Sequence, residues 1–195
     1  MAPPRKHDTD VILDAARTLV LRDGPRAAGV AAIAAASGAP VGTLYHRFGN
    51  RNGVLVATWI RALERFQQRA MTAGDHTDPM EAAVAMAVAT IEFARDLPDD
   101  ASLLLQLRPR DLLDGEPDTD LRERLDRMNA PLIERLHVLT EQLYGTDDER
   151  TINHLALAVV DLPYAALRRH ARTGVPPWLP TEIAEATRTL LTNHP

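Results

Sequence analysis

The sequence has no cysteine among its 195 residues. That excludes a disulfide framework, a thiolate metal site and a cysteine nucleophile. No run of about eighteen apolar residues occurs, so no membrane-spanning helix is expected. The opening Met1-Ala-Pro-Pro-Arg-Lys leads into charged residues rather than an apolar stretch, which does not read as a secretory signal. The expectation is a cytoplasmic protein without membrane association. Aromatic residues make up only 4%, which argues against a large pocket for flat aromatic ligands.

Catalytic signatures are missing as well. There is no Gly-x-Ser-x-Gly elbow, no phosphate-binding glycine loop and no His-Glu-x-x-His pair. Glu134 and His137 have the spacing of two metal ligands on one helical face, but a di-iron bundle needs that motif twice with further glutamates. It occurs once, and reads as a surface glutamate beside a core or pocket histidine. No catalytic residue, metal or cofactor is therefore expected.

What is present points to helices. Alanine, leucine and arginine dominate, all good helix formers, and the apolar spacing is helical rather than alternating. With 45% hydrophobic and 25% charged residues, a chain of this length can bury a real core. Nine helices are expected. Val11, Ile12, Ala15, Ala16, Leu19 and Val20 form a face of the first, which Asp23-Gly24 closes. Two short helices follow, about 30–36 and 41–47, then a long one from near Asn50 to about Met71. Asp78-Pro79-Met80-Glu81 has the pattern of a capping box with proline at the first helical position, opening a helix to about Leu97. A short helical segment 101–107 and a polar loop 108–118 come next. A long helix over 119–144, bent at Pro131, ends at Gly145. Thr146-Asp-Asp-Glu149 has the pattern of a second capping box, for a helix to about Ala171 that Pro163 should kink. A proline-rich linker leads to the last helix, 181–192.

Charge is uneven. The net charge is −5, yet residues 1–55 hold seven Lys/Arg against four Asp/Glu, net +3. Fifteen basic and twenty-three acidic residues remain for the rest, net −8. A small head that binds a polyanion, carried on an acidic body, fits this asymmetry.

Ala34 and Gly38 lie four apart. In a helix-turn-helix the crossing of the two helices needs a small residue, and the turn needs a glycine in a backbone conformation costly for others. Ile33, Ala39 and Leu44 would supply the shared core, leaving the outer side of the next helix for a major groove. Taken alone, this spacing equally describes two packed helices with a glycine turn. The stretch that follows, Gly42-Thr43-Leu44-Tyr45-His46-Arg47-Phe48 and then Gly49-Asn50-Arg51 and Leu55, resembles the TetR/AcrR family of transcriptional regulators. The resemblance spans roughly Val11 to Trp59.

It implies an all-α protein with a helix-turn-helix DNA-binding domain over 1–52 and a ligand-binding and dimerisation domain over 53–195. It further implies a homodimer on a palindromic double-stranded DNA operator, released by a small-molecule effector. The carried-over DNA-binding residues are Gly42, Thr43, Tyr45, His46, Arg47 and Arg51. Hydroxyls of Thr43 and Tyr45 can reach phosphate oxygens, and the tyrosine ring can pack on sugar or a thymine methyl. His46 or Arg47 can contact a phosphate, Arg47 can also read guanine, and Arg51 stands where the family clamps phosphate. Gly42 lets the backbone approach. Arg5 and Lys6 are either extra phosphate contacts or a solvated tail. Pro40, Val41 and the alanine-rich second helix depart from the family's polar pattern, which leaves few residues for base contacts.

In the body, Ile152, Leu155, Ala156, Val159, Leu162 and Ala166 make one apolar stripe, and Ile183, Ala184, Ala186, Leu190 and Leu191 another. These are read as the dimer interface through the last two helices; the plainer alternative is that both stripes cover their own core. For a ligand pocket the long helices offer Phe66, Met86, Leu103, Leu104, Leu136 and the polar Tyr164, and the candidates singled out for ligand contact are Phe93, Gln106, Leu107, Met128, Leu132, His137 and His154. Repression or activation is open at this point, and a helical interaction protein that no longer binds specific DNA is the other function class.

Overall fold

The computed structural model describes residues 9–113, 119–171 and 173–193. Arg5 and Lys6 lie outside them. Every regular element among the described residues is helical: α1 (Thr9–Asp23), α2 (Val30–Ser37), α3 (Val41–Phe48), α4 (Arg51–Ala73), α5 (Pro79–Asp96), α6 (Pro98–Gln106), α7 (Pro109–Leu112), α8 (Thr119–Tyr144), α9 (Glu149–Ala156), α10 (Leu162–His170) and α11 (Leu179–Thr192). None is long and apolar enough to cross a membrane. Between α9 and α10 the chain stays helical as a π segment, Leu157–Asp161.

The chain divides into two compact units, Met1–Leu63 with Asp99–Pro117, and Glu64–Pro98 with Asp118–Pro195. The first thus reaches past residue 52 and takes in a segment from much later in the sequence. Its core joins Ile12, Leu13 and Ala16 of α1 with Ile33 and Ala34 of α2, Leu44 of α3, and Val54 and Leu55 of α4. Leu103 and Leu112, from α6 and α7, close the same cluster, and the Trp59 indole N–H donates to the Leu107 carbonyl at 3.0 Å. Two arginines add charge to this apolar core. Arg17 donates to Asp100, whose side chain is only 1% exposed. Arg61 donates to Asp10 at 2.7 Å and to Asp14 at 2.6 Å. These pairs are needed because an unpaired charge in such a setting would be costly.

The second unit packs α5 against α8 to α11. Ala82, Ala83 and Met86 meet Leu139, Leu155, Ala158, Val159 and Leu191 in its core. Alanines on α5 let its neighbours approach closely. At its start Asp78 accepts the Glu81 backbone N–H at 2.9 Å. The expected reciprocal bond gives way to another partner, since the Glu81 carboxylate is held by Arg188 of α11 at 2.7 and 2.9 Å. The second cap also differs from expectation. Asp148, not Thr146, is the N-cap, accepting the Thr151 N–H at 3.0 Å, and the Thr146 hydroxyl donates to Asp148 instead.

Proline explains two further features. Pro163 has no N–H and its ring would press on the carbonyl four residues back, at Val159. The helix opens to π spacing just before it, with the Leu162 N–H bonded to the Leu157 carbonyl. Pro131 sits on the exposed side of α8, which runs through it as one helix. The loop expected over 108–118 contains α7, which Asp111 caps by accepting the Arg108 N–H at 2.7 Å.

Candidate nucleic-acid interface and effector cavity

The turn between α2 and α3 depends on Gly38, which ends α2 at φ +71°, a left-handed backbone that side chains disfavour. Ile33, Ala34 and Ala39 are buried around the turn and Leu44 is fully buried beneath α3. With Leu44 fixed inward, the helical repeat turns residues 42, 45 and 46 outward, and Val41, the first residue of α3, is exposed as well. Val41 is 44% exposed and Tyr45 53%; Gly42 and His46 are exposed too. Gly42 has nothing within 4 Å of where a side chain would begin, so this face is open. Tyr45 is therefore not a core residue. Thr43 is half-buried, and Phe48 packs against the core.

The two arginines of the motif are held by protein groups. Arg47 donates to the Thr9 hydroxyl at 2.9 Å, tying α3 to the start of α1. Arg51 donates to the Pro25 carbonyl and, at 3.3 Å, to Asn52. Asn50 caps α4 by accepting the Gly53 N–H at 2.9 Å. At Gly53 a Cβ would stand 1.9 Å from the Phe48 carbonyl oxygen. That close approach of α3 to α4 has no signal in the sequence, where Gly53 reads as an ordinary helical glycine.

The pocket candidates scatter. Gln106 is exposed and Leu107 packs on the core of the first unit. In the second unit, Phe66, Ala70, Met86, Thr90, Leu132, Val159, Val160 and Tyr164 enclose a cavity of about 110 Å³. Of the expected residues Phe66, Met86, Leu132 and Tyr164 line it. Phe93 is buried against Phe66, edge to face with ring centroids 5.5 Å apart. Met128 is half-buried. His137 turns to Asp147, with Nδ1 3.7 Å from a carboxylate oxygen. His154 Nε2 is hydrogen-bonded to the Leu190 carbonyl at 3.0 Å and so fastens α9 to α11. The lining residues carry no charged side chain; the polar ones among them are Thr90, whose hydroxyl donates to the Met86 carbonyl at 3.4 Å, and Tyr164.

Of the two apolar stripes expected at the dimer interface, Leu155, Val159, Ile183 and Leu191 are buried in the protein's own core, and the other seven residues are half-buried. Another face of the 149–170 helix is apolar and outward. Leu157 is 48% exposed, Val160 38% and Tyr164 43%, three and four residues apart. The outward side of α11 is polar, with Glu182, Glu185 and Thr189.

Elsewhere in the second unit, an Arg188 hydrogen bond holds the Glu81 carboxyl below its ordinary range, and Arg69 and Arg95 do the same for Asp96. Backbone and hydroxyl bonds from Thr151 lower Asp148. Burial raises the Tyr144 phenol, whose hydroxyl donates to the Leu191 carbonyl at 3.0 Å.

Residues 12–58, from α1 into α4, match the profile of bacterial regulatory proteins of the tetR family. No curated protein matches the chain. Among solved structures, the fatty acid degradation regulator FadR from Bacillus halodurans is 19% identical with a TM-score of 0.73, over 96% of this chain and all of that one. The TetR family regulator PfmR from Thermus thermophilus is 20% identical with a TM-score of 0.70, over 96% of this chain and 97% of its own. A TetR-like regulator from Rhodococcus sp. RHA1 is 18% identical with a TM-score of 0.70, covering 98% of this chain and 97% of that one. At such identity these structures share the fold with this chain.

Proposed function

We propose, from the match of residues 12–58 to bacterial regulatory proteins of the tetR family, that this chain is a cytoplasmic transcriptional repressor that binds a palindromic operator as a homodimer and leaves it when a small molecule enters the second unit. The observation that carries the DNA reading is the two-sidedness of α3. Leu44 is wholly buried while its neighbour Tyr45 is 53% exposed, on a face with Gly42 and His46. Such a helix can lie in a major groove, with Thr43, Tyr45 and His46 supplying donors to phosphate or base edges. Arg47 and Arg51, oriented by Thr9 and Pro25, flank it as candidates for phosphate.

An operator made of two half-sites needs a two-fold partner. The outward face of Leu157, Val160 and Tyr164 supplies the apolar surface that a second copy would cover, with α11 alongside giving a polar rim. For the effector, the apolar cavity around Leu132 and Val159 favours a neutral molecule. Apolar cavities of this order stay dry and take small hydrocarbons. To move an operator-bound population almost completely to a released one, the effector must prefer the released state roughly 10⁴-fold.

The test is duplex binding by the full chain across a salt series. The proposal expects affinity that falls steeply with salt and depends on sequence, with Tyr45→Ala and Arg51→Ala each weakening it at least ten-fold. Equal, weak binding by the wild type and both variants would refute it. Release of the complex by members of a panel of neutral apolar molecules supports the effector step; no release by any of them counts against it.

A further inference from the structure

The outward face of the helix-turn-helix is unusual in its chemistry. Ala31, Ala35 and Ala36 of α2 are exposed, followed by exposed Pro40, Val41 and Gly42. The groups that read bases through paired hydrogen bonds are arginine or lysine on guanine and asparagine or glutamine on adenine. None of them occupies the outward face of α2 or α3, at 31, 35, 36, 41, 42, 45 or 46. Arg47 is directed to Thr9, and Asn50 to the N–H of Gly53. The first turn of the second helix, where base contacts of this motif concentrate, presents an isopropyl group, 44% exposed, beside a bare backbone.

Resting on the DNA reading above, we propose that Val41 is the specificity-determining residue of the head and that it reads the 5-methyl group of a thymine in each half-site. The thymine methyl is the one apolar feature in the major groove, and it distinguishes T·A from the other pairs by contact rather than by hydrogen bonding. Gly42 has open space beside it, so α3 can settle close enough for the Val41 side chain to cover the methyl. The Tyr45 ring, one turn further along the same face, closes the other side of the contact against water. Selectivity built this way is graded: each methyl excluded from water contributes about what a buried CH₂ does, close to a four-fold change in affinity. Two half-sites give on the order of sixteen-fold.

The experiment uses the full-length protein and the duplex it selects from a random pool. Each half-site thymine is replaced in turn by uracil, which deletes only the methyl, and dissociation constants are measured by fluorescence anisotropy. The expected result is one thymine position where uracil weakens binding about four-fold in one half-site and about sixteen-fold in both. In Val41→Ala, which changes an exposed side chain, the thymine and uracil duplexes should bind within two-fold of each other. Selective binding that ignores uracil at every thymine overturns this inference alone. So does a uracil effect that persists unchanged in Val41→Ala. Failure to select any duplex overturns the DNA reading and this inference with it.

Discussion

Replacing Asp100 with alanine removes one partner of the most buried ion pair in the first unit. The Asp100 side chain is 1% exposed and that of Arg17 is 14% exposed. Arg17 Nε is already buried without a hydrogen bond, so its guanidinium has few partners to spare. Stripping one member from a buried pair costs about 3–5 kcal/mol, because the other charge stays desolvated. Here Asp14 and Asp99 remain 3.4 and 3.6 Å from Arg17 Nη2 and are more exposed. They should recover part of the loss, which brings the net cost below that range, to about 2–3 kcal/mol. For a chain of 195 residues that unfolds as a whole, each kcal/mol moves the midpoint by about 2–4 °C. The expected drop is therefore about 4–12 °C, followed by circular dichroism at 222 nm at neutral pH. A double replacement, Arg17→Leu with Asp100→Leu, removes both charges and should regain most of the loss, since apolar groups of similar size substitute well for a buried pair. A single variant that melts within about 2 °C of the wild type, a margin worth under roughly 1 kcal/mol, would refute the reasoning. So would a double variant no better than the single one.

Gly53→Ala should displace α3 from α4, since its Cβ would lie 1.9 Å from the Phe48 carbonyl oxygen; loss of duplex binding is expected with the far-ultraviolet spectrum of the second unit's helices retained, and unchanged affinity would contradict it. Val160→Glu places a charge on the outward face of Leu157, Val160 and Tyr164 and should yield monomers by sedimentation, whereas a variant that remains dimeric would remove this face from the interface. The lowered carboxyls of Asp148, Glu81 and Asp96 fix the acid response. A carboxyl whose folded value lies below its unfolded one stabilises the fold above about pH 4, and loses that contribution as the pH falls through the folded value. The thermal midpoint should thus hold between about pH 7 and 5 and decline below about 4. Asp148→Asn keeps a capping side chain without the titrating charge and should make that decline shallower; an identical acid profile would exclude Asp148 as a contributor.

The sequence was most informative where local rules act alone. Gly38, Ile33, Ala39 and Leu44 define the helix-turn-helix through spacing and size, and the Asp78 cap needs only its own next three residues. It was less informative where tertiary packing chooses between similar faces. The 149–170 helix is apolar on several sides, so periodicity could not say that Leu155 and Val159 face inward while Leu157 and Val160 face outward. Pocket residues chosen by type on separate helices, such as Gln106 and His137, carried no information on register or on the unit each would join. The Arg17–Asp100 pair spans 83 positions, and no local pattern marks it. Helix α7 has four residues, too few to show a helical period.

The most direct test of the account is to sequence the duplexes that the purified full chain retains from a random pool at near-physiological salt. The account predicts an enriched inverted repeat whose half-site centres lie about one helical turn apart, roughly 34–36 Å, as two copies of α3 related by a dimer axis require. Retention without any enriched sequence, or no retention, would contradict it and would mark the alanine-, proline- and valine-lined face of α2 and α3 as a surface for a partner other than DNA.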